Sequence, residues 1–481
     1  MADTTAPKLA LARAVGTLSR LRGGGTSAPG KLLLRLAPDA IGELGSRLPR
    51  GSVLISATNG KTTTAAMAAA IFDRAGIPLV YNQAGANMAG GITTTLLSAA
   101  RRDGRIDGEL GLFEVDELWL EQVAAQLHPR VVLLANLFRD QLDRYGELEA
   151  IAESWSRALG DSASPPPIEA AAPSAERARL VLNADDPLIA DLGRERTDVL
   201  YFGVDDDSLQ LPGMAHAADA KHCRRCGAPY VFDAIYLGHL GHYHCERCGQ
   251  SRPAPAVIAT QVTLEGVRRA GFRLHTPAGD AEVALGLPGL YNVYNALAAA
   301  ALATALDVDL QSIVDGLGRT EAAFGRAETV RLSLPASQAG PASERELRIL
   351  LIKNPAGTNE VLRTLTIEPG EHDLLGVLND NIADGRDVSW IWDADFELLD
   401  GRVRRATCSG SRAPELAVRL KYAGIDPGRI RVQPDLELAL AQAAADRPVT
   451  DAPLYALPTY TAMLSLRELL VARGEATNAW S

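Results

Sequence analysis

The stretch ATNGKTTT, residues 57–64, has the residue types of a phosphate-binding loop. SVLISA (52–57) precedes it and predicts a buried strand, and TTTAAMAAAIFDRAG follows and predicts a helix. In that setting backbone N–H groups at the helix N-terminus bind phosphates, a lysine reaches the outer ones, and a threonine hydroxyl meets Mg²⁺. Because Ile55 stands where the strict Walker pattern has Gly, a Gly/Asn turn beside a solvated lysine is the alternative. We predict an ATP site that contains Thr58, Asn59, Gly60, Lys61, Thr62 and Thr63.

Four of the five cysteines form two pairs, in CRRCG (223–227) and HCERCG (244–249). The distance between the pairs fits the spacing of a zinc ribbon. Four thiolates give a closed tetrahedral Zn²⁺ site, which is structural because no coordination position stays open. A redox pair and inert cysteines are the alternatives, and His242 and His244 are possible substitute ligands, although loop positions fit them better. The predicted zinc ligands are Cys223, Cys226, Cys245 and Cys248.

A third polar region, NDNIADGRDVSWIWD (379–393), contains four aspartates far from the phosphate loop. Asp380 and Asp384 flank turn residues and have the spacing of turn-shaping side chains. Asp387 has Arg386 and Arg402 as candidate ion-pair partners. The two tryptophans of this region, Trp390 and Trp392, favour packing or an interface over nucleotide stacking.

The elements that position these groups belong to two α/β units. Strand-like runs at 110–115, 131–135 and 179–183 alternate with helical stretches, which predicts a mainly parallel sheet. Segments 160–178 and 335–346 are rich in Pro, Ala and Ser and read as linkers. Apolar runs that end in polar loops follow the second linker and predict a smaller Rossmann-like α/β domain with its site at the strand ends. We expect three parts: 1–50, a short N-terminal segment; 51–333, an ATP-binding domain with the zinc ribbon inserted at about 220–252; and 334–481, a C-terminal, partner-binding domain.

The overall composition narrows the function classes. The 481 residues carry a net charge of −11, which argues against a general nucleic-acid binder, since such binding neutralises phosphates. No apolar run reaches the ~20 residues of a membrane helix. The basic start of the chain predicts a short helix with a flexible tail, with a membrane-surface contact or a transit peptide as alternatives. We expect a cytoplasmic protein with at most peripheral membrane contact.

Several segments, in order along the chain, resemble the Mur ligases and folylpolyglutamate synthases, which activate a carboxylate as an acyl phosphate and then form an amide. These segments are TNGKTTT, LFEVDE (112–117), NLFRDQLDRYG (136–146), LPGLYNVYNALAA (287–299) and FGRAE (324–328). The resemblance implies that Thr62 and Glu114 hold Mg²⁺. It also implies nucleotide and domain-closure contacts from Asn136, Asp140, Asn292, Asn295 and Arg326. The chain departs from the pattern at Ala57 and Gln141, and its short N-terminus favours a carrier-linked substrate over a UDP-linked one.

The C-terminal half narrows the resemblance to the MurT family of Mur ligase-like synthetase subunits. The segments that carry it, besides the cysteine quartet, are KNPAG (353–357), DNIADGRDVSWIWDADFE (380–397) and GSRAPE (410–415). The resemblance implies ATP-dependent amidation of the D-glutamate α-carboxylate of the lipid II stem peptide to D-isoglutamine, at the inner face of the membrane, in peptidoglycan synthesis. It also implies that ammonia comes from a GatD-type glutaminase partner in a heterodimer, and that Asp387 orients a histidine of that partner, unless Asp387 pairs with an arginine of this chain instead. Lys61 and Glu114 are the other expected catalytic residues. The alternatives are a stand-alone ligase that adds an amino acid and a zinc-ribbon scaffold that binds ATP without turnover.

Overall fold

The computed structural model describes residues 27–82, 86–101, 103, 105–140, 148–159, 177–214, 218–320, 326–334, 343–446 and 452–477. The basic start of the chain, most of the two predicted linkers, Gln141 and Gly325 lie outside the described residues. None of the helices in these ranges combines the length and the apolar character that a bilayer-spanning segment requires.

The described residues contain 17 strands. They are β1 (Ser52–Ser56), β2 (Leu79–Tyr81), β3 (Leu110–Glu114), β4 (Val131–Leu134), β5 (Arg179–Asn183), β6 (Val199–Val204), β7 (Val231–Leu237), β8 (Leu240–His244), β9 (Val257–Glu265), β10 (Arg269–Thr276), β11 (Gly279–Leu285), β12 (Arg326–Leu334), β13 (Ser343–Leu350), β14 (His372–Val377), β15 (Val403–Ser409), β16 (Ile430–Val432) and β17 (Leu454–Pro458).

Helices alternate with most of these strands. They are α1 (Ala28–Leu36), α2 (Ala40–Gly45), α3 (Lys61–Arg74), α4 (Ala89–Ala99), α5 (Leu120–Leu127), α6 (Leu148–Ala158), α7 (Pro187–Asp191), α8 (Leu290–Ala305), α9 (Leu310–Gly318), α10 (Pro355–Ile367), α11 (Ala413–Tyr422), α12 (Leu436–Ala445) and α13 (Tyr460–Ala472).

Nine strands form one sheet in the order β11-β10-β9-β6-β5-β4-β1-β3-β2. Pairing is parallel from β9 to β2 and antiparallel among β9, β10 and β11, so the predicted mainly parallel sheet is confirmed. Successive side chains of a strand point to opposite faces. Val53 and Ile55 accordingly pack in a core with α3, α8 and α9, whereas Leu54 packs in a second core with α1, α2 and α4–α6. Because β1, β3 and β4 are parallel, their carboxyl ends meet at one edge, where the phosphate loop follows β1.

Six strands form a second sheet in the order β12-β13-β17-β14-β15-β16. Only the β12–β13 pair is antiparallel, and apolar cores cover both faces of the sheet. This arrangement confirms the predicted second α/β unit. Since residues 326–334 pair in this sheet, we propose that the domain boundary lies before Arg326 rather than at 333/334.

The ribbon lies between β6 and β9 in the chain. Its strands β7 and β8 pair with each other as an antiparallel hairpin and do not join either large sheet. The cysteine pairs stand on either side of this hairpin, so the ribbon is an insertion in the first unit.

Candidate active site

The phosphate loop is held by the segment that follows β4. Asn136 donates from Nδ2 to the Asn59 carbonyl at 3.0 Å and accepts from the Asn59 N–H at 2.9 Å. The Thr58 hydroxyl accepts from the Phe138 N–H at 3.0 Å and donates to the Phe138 carbonyl at 3.2 Å. Asn136 therefore supports the backbone of the loop, a contact different from the nucleotide contact that the family resemblance implies.

Lys61, the first residue of α3, forms a buried ion pair with Glu117. The Nζ atom lies 2.9 Å from Glu117 Oε2 and also donates to the Ala57 carbonyl. Burial on its own lowers the pKa of Lys61, but the charge of Glu117 and of nearby carboxylates outweighs it and raises the pKa above its ordinary value. Lys61 thus stays cationic beside the loop. Sequence reasoning missed Glu117, although it lies within the LFEVDE segment.

Glu114 and Thr62, the residues expected to hold Mg²⁺, lie together at the end of β3. The Thr62 hydroxyl is 3.1 Å from Glu114 Oε1, and the Glu114 side chain is buried. Asn82 fixes the Glu114 backbone through hydrogen bonds of 2.8 Å to its N–H and its carbonyl. Glu114 Oε2 has no hydrogen-bond partner among the described residues. A buried, unpartnered carboxylate oxygen beside a hydroxyl fits a hard, oxygen-preferring cation.

Helix α8 closes the loop from the other side. Gly60 has φ +83°, and a Cβ there would lie 2.0 Å from Asn295 Oδ1, so only glycine allows this approach. The Thr64 hydroxyl donates to Asn295 Oδ1 at 3.3 Å, and Asn295 donates to Asn292 Oδ1 at 3.1 Å. Both asparagines lie in the first turns of α8 and support the loop, rather than capping the helix, since Gly289 is the N-cap.

The second sheet contributes two residues that sequence reasoning did not place at the site. Lys353 donates to the Thr58 carbonyl at 3.0 Å and to Asp140 Oδ2 at 2.7 Å. Asn354 exchanges side-chain hydrogen bonds with Asn59, at 2.9 and 3.3 Å. The KNPAG segment thus faces the phosphate loop. Arg326 begins β12 opposite Leu350, and its side chain lies outside what the structure describes.

Asp387 is exposed in the turn before a 3-10 helix at Ser389–Trp392. Its Oδ1 accepts from the Ser389 N–H at 2.8 Å, and hydrogen bonds from the Ser389 side chain and backbone lower the pKa of Asp387. Within the described residues it forms no ion pair, and Arg402 instead donates to the Thr366 carbonyl. The side chain is therefore an anion available to another molecule.

Two neighbouring aspartates accept hydrogen bonds from residues that follow other strands, so they do more than shape a local turn. Asp384 is buried and accepts from the Thr461 N–H at 2.7 Å, in the first turn of α13, and burial raises its pKa. Asp380 accepts from the Ser411 hydroxyl at 2.7 Å and from Arg412 Nε at 2.8 Å. Both carboxylates fix the loop that carries Asp387.

An exposed aromatic pair joins the same segment to α11. Trp392 is 51% exposed and Tyr422, on α11, is 70% exposed. Their rings meet edge to face at 5.8 Å, and the Arg419 guanidinium lies 5.4 Å from the Trp392 ring centroid. Arg419 itself is buried and donates to the carbonyls of Ile391 and Ala394, which fixes the segment. We call Trp392, Val418 and Tyr422 the aromatic patch.

The four paired cysteines converge. Their sulfur atoms all lie within 4.8 Å of one another, and two Sγ–Sγ distances are 3.5 Å. A tetrahedral site with Zn–S bonds of ~2.3 Å has sulfurs ~3.8 Å apart, so the four thiols fit a zinc ion. His242 and His244 are strand residues that pair with Asp205 and Asp233, each at 3.0 Å. The fifth cysteine, Cys408, is buried in the second sheet, and burial raises its pKa to about 12.

Comparisons with known proteins agree with this geometry. The Mur ligase middle domain family matches residues 55–226, and the family described as MurT ligase C-terminal matches residues 351–463. A solved structure of a pseudomurein peptide ligase type C from Methanothermus fervidus superposes with a TM-score of 0.64 at 22% identity, covering 89% of this chain and 79% of that one. The fold and the phosphate loop define a ligase of the Mur type, a class that binds ATP.

Two known proteins are similar over nearly the whole chain. Both bear the name lipid II isoglutaminyl synthase (glutamine-hydrolyzing) subunit MurT. The one from Streptococcus pneumoniae is 32% identical over 457 residues, which cover 95% of this chain and 94% of that protein. The one from Staphylococcus aureus is 30% identical over 447 residues, which cover 93% of each. The chain belongs to the MurT family of Mur-type ligase subunits.

Proposed function

We propose that the chain is the synthetase subunit of a glutamine-hydrolysing amidotransferase that amidates lipid II in peptidoglycan synthesis. The acceptor is the α-carboxylate of D-glutamate in the stem peptide, and the product is D-isoglutamine. The observation that carries the proposal is the presence in one chain of a phosphate loop and, on a separate loop, an exposed aspartate, while four of the cysteines converge on one group and the fifth is buried. Such an arrangement needs a second protein that supplies nitrogen.

The first half-reaction takes place at the phosphate loop. The substrate carboxylate attacks the γ-phosphate of ATP, ADP leaves, and an acyl phosphate forms; positioning and charge neutralisation dominate such a step. Lys61, kept cationic by Glu117, would bind the outer phosphates. Thr62 and Glu114 would hold Mg²⁺, which supplies charge neutralisation at the transferred group. Asn136, Asn292 and Asn295 keep the loop in shape for this step.

The second half-reaction uses ammonia. Ammonia attacks the acyl carbon, inorganic phosphate leaves, and the amide forms. Release of ammonia from glutamine needs a nucleophilic cysteine with a histidine oriented by a carboxylate. Four cysteines of this chain converge on a metal site, and the high pKa of Cys408 keeps its thiol protonated. The cysteine and histidine would therefore belong to a GatD-type glutaminase, and Asp387 would orient that histidine.

The same reasoning supports a docking surface for the glutaminase. A partner histidine within hydrogen-bond distance of Asp387 brings the partner's surface onto residues 387–392. The aromatic patch is continuous with that segment, and exposed Trp and Tyr side chains beside an Arg are typical of interface hot spots. We propose that the aromatic patch anchors the glutaminase.

The dependence of phosphate release on the nitrogen source tests the proposal. Phosphate release is measured with a lipid II-like substrate, with ammonium or with glutamine, and with or without the co-expressed glutaminase. We expect turnover with ammonium alone and turnover with glutamine only in the complex. Phosphate release that requires an added amino acid would instead identify a stand-alone ligase.

The Asp387→Asn variant isolates the second half-reaction. It should retain ammonium-driven amidation and lose glutamine-driven amidation by about 10⁴-fold, as triad aspartates do. Asp393→Asn, at an exposed carboxylate six residues further along, is the matched control and should behave like wild type. Equal loss with both nitrogen sources would show that Asp387 does not act through a partner's histidine.

A further inference from the structure

The cysteine ribbon contacts the segment that supports the phosphate loop. Asp219, four residues before Cys223, accepts from the Arg139 N–H at 2.9 Å and from Arg139 Nε at 2.5 Å. The Asp219 side chain is only 3% exposed, so this paired contact is shielded from water on the carboxylate side. Charge-assisted pairs of this geometry are stronger than neutral hydrogen bonds.

A second contact comes from the tip of the β7–β8 hairpin. His239 is fully buried, and its ring centroid lies 4.6 Å from that of Phe138. The preceding Gly238 approaches the same ring so closely that a Cβ would lie 2.9 Å from it. His239 Nε2 lies 3.4 Å from Asp186, whose carboxylate accepts from the Leu137 N–H at 2.9 Å.

Residues 136–140 are therefore held between the ribbon and the phosphate loop. On one side Asp219 and His239 contact Arg139 and Phe138. On the other side Phe138 bonds Thr58 through both backbone groups, and Asn136 bonds Asn59. A displacement of the ribbon would move the backbone that positions the phosphate-binding N–H groups.

The cysteine end of the ribbon depends on its cysteines for a fixed conformation. The buried apolar cluster at this end has five members, of which Ala190 comes from α7 and four come from the ribbon; the ribbon members are Cys223, Tyr230, Tyr243 and Cys245. The hairpin packs through Ala234, Tyr236, Leu237 and Leu240 into the core of the large sheet, whereas the cysteine end has only this small cluster, so metal binding there would supply folding energy. Since the four thiols fit Zn²⁺, the ion would fix the cysteine end of the ribbon, which begins four residues after Asp219 and its contact with Arg139.

We propose that the metal ribbon supports the ATP site. Asp219 and His239 are positioning residues that set the affinity of the phosphate loop for nucleotide. This role concerns nucleotide binding by the chain itself. It is independent of the identity of the acceptor and of the glutaminase, so a failure of the proposed amidation would leave it standing.

The test compares two carboxylates of the ribbon region in the full-length, zinc-loaded protein. Asp219→Asn removes the charge that faces Arg139, whereas Asp233→Asn, at an exposed carboxylate on β7, is the control. Dissociation constants for ATP with Mg²⁺ are measured by calorimetry, together with zinc content and the thermal midpoint. We expect Asp219→Asn to retain one zinc per chain and to bind ATP about tenfold more weakly, which corresponds to ~1.4 kcal/mol. The control should bind ATP like wild type.

A double-mutant cycle makes the result specific. Arg139→Met should weaken ATP binding to a similar extent, and the double variant should be no weaker than either single variant, because both remove one contact. Additive losses, or unchanged ATP affinity in Asp219→Asn at full zinc content, would overturn the proposal. An equal fall in ATP affinity in Asp219→Asn and Asp233→Asn would also overturn the proposal, because it would reflect a general loss of ribbon stability.

Discussion

Asn354 and Asn59 exchange two side-chain hydrogen bonds, at 2.9 and 3.3 Å, across the junction of the two α/β units. The contact joins the N-cap residue of α10 to the phosphate loop, 295 residues earlier in the chain. Lys353 reinforces it through Thr58 and Asp140. The second sheet thus reaches the ATP site directly, and the loop is shaped by both units.

Replacing Asn354 with Asp tests this junction. The variant retains the N-cap, since aspartate caps helices as well as asparagine, but it loses the Nδ2 donor and adds a negative charge beside the phosphate loop. We expect a KM for ATP raised about tenfold, because the new carboxylate repels the phosphates, and a lower thermal midpoint, because Asn354 is only 1% exposed and the new charge would be buried. Asn354→Ser, which caps the helix without adding charge, should raise KM less. Equal KM values for all three proteins would show that the junction does not affect nucleotide binding.

The Lys61–Glu117 pair predicts a pH dependence. Because the charge of Glu117 helps raise the pKa of Lys61, Glu117→Gln should lower that pKa and leave the lysine less protonated at alkaline pH. When the pH is raised, ammonium-driven phosphate release should begin to fall at a lower pH in Glu117→Gln than in wild type. Lys61→Met should abolish release at every pH. If the pH–activity profiles of wild type and Glu117→Gln fall at the same alkaline pH, Glu117 does not help to keep Lys61 protonated.

The aromatic patch predicts how truncation of one of its side chains changes binding of the glutaminase. Trp392→Ala and Tyr422→Ala should each weaken binding of the glutaminase about 30-fold, the ~2 kcal/mol that defines a hot spot. Ammonium-driven activity of the isolated chain should not change, since the patch lies on a different loop from the phosphate site. Leu438→Ala, at a residue of α12 that is 53% exposed, is the control. Affinity is measured by calorimetry or surface plasmon resonance, and wild-type affinity in both patch variants would place the interface elsewhere.

Local patterns were sufficient to predict the parts of the site that lie close together in the chain. The phosphate loop follows from a strand, a short polar turn and a helix, and the cysteine site follows from two knuckles of fixed spacing. Thr62 follows β1 and Glu114 ends β3, and because these neighbouring strands are parallel the two residues lie side by side at one edge of the sheet. The loop and the cysteine site needed only periodicity, turn chemistry and spacing, whereas the pairing of Thr62 with Glu114 was implied by the family resemblance.

The remaining contacts depend on how separate elements pack. Lys353 and Asp219 reach the site from the second sheet and from the ribbon, and neither has a local pattern that indicates its partner. Asp384 reads as a turn residue in the sequence, yet it caps α13 from 77 residues away. β12 precedes a linker-like segment and still pairs with β13, which moves the proposed boundary. Such relationships are set by tertiary packing, which overrides local propensity.

Glu360 predicts how stability depends on pH. It is 6% exposed on α10 and accepts from Arg363 at 2.9 Å. Burial raises its pKa from 4.5 to about 7, although Arg363 opposes the shift. A carboxyl group whose pKa is raised in the folded state contributes its stability fully below the unfolded pKa. That contribution is lost as the pH rises through the folded pKa, so the native state should weaken between about pH 4.5 and 7.

Glu360→Gln removes this titration while keeping an acceptor for Arg363. At pH 8 the variant should exceed wild type in free energy of unfolding by up to ~3 kcal/mol, the value that corresponds to a shift of this size. The difference should shrink steadily as the pH is lowered toward 5. Denaturant titrations at several pH values measure it, with Glu468→Gln, at an exposed carboxylate on α13, as the control. A variant that is no more stable than wild type at pH 8 would mean that Arg363 fully compensates the buried charge.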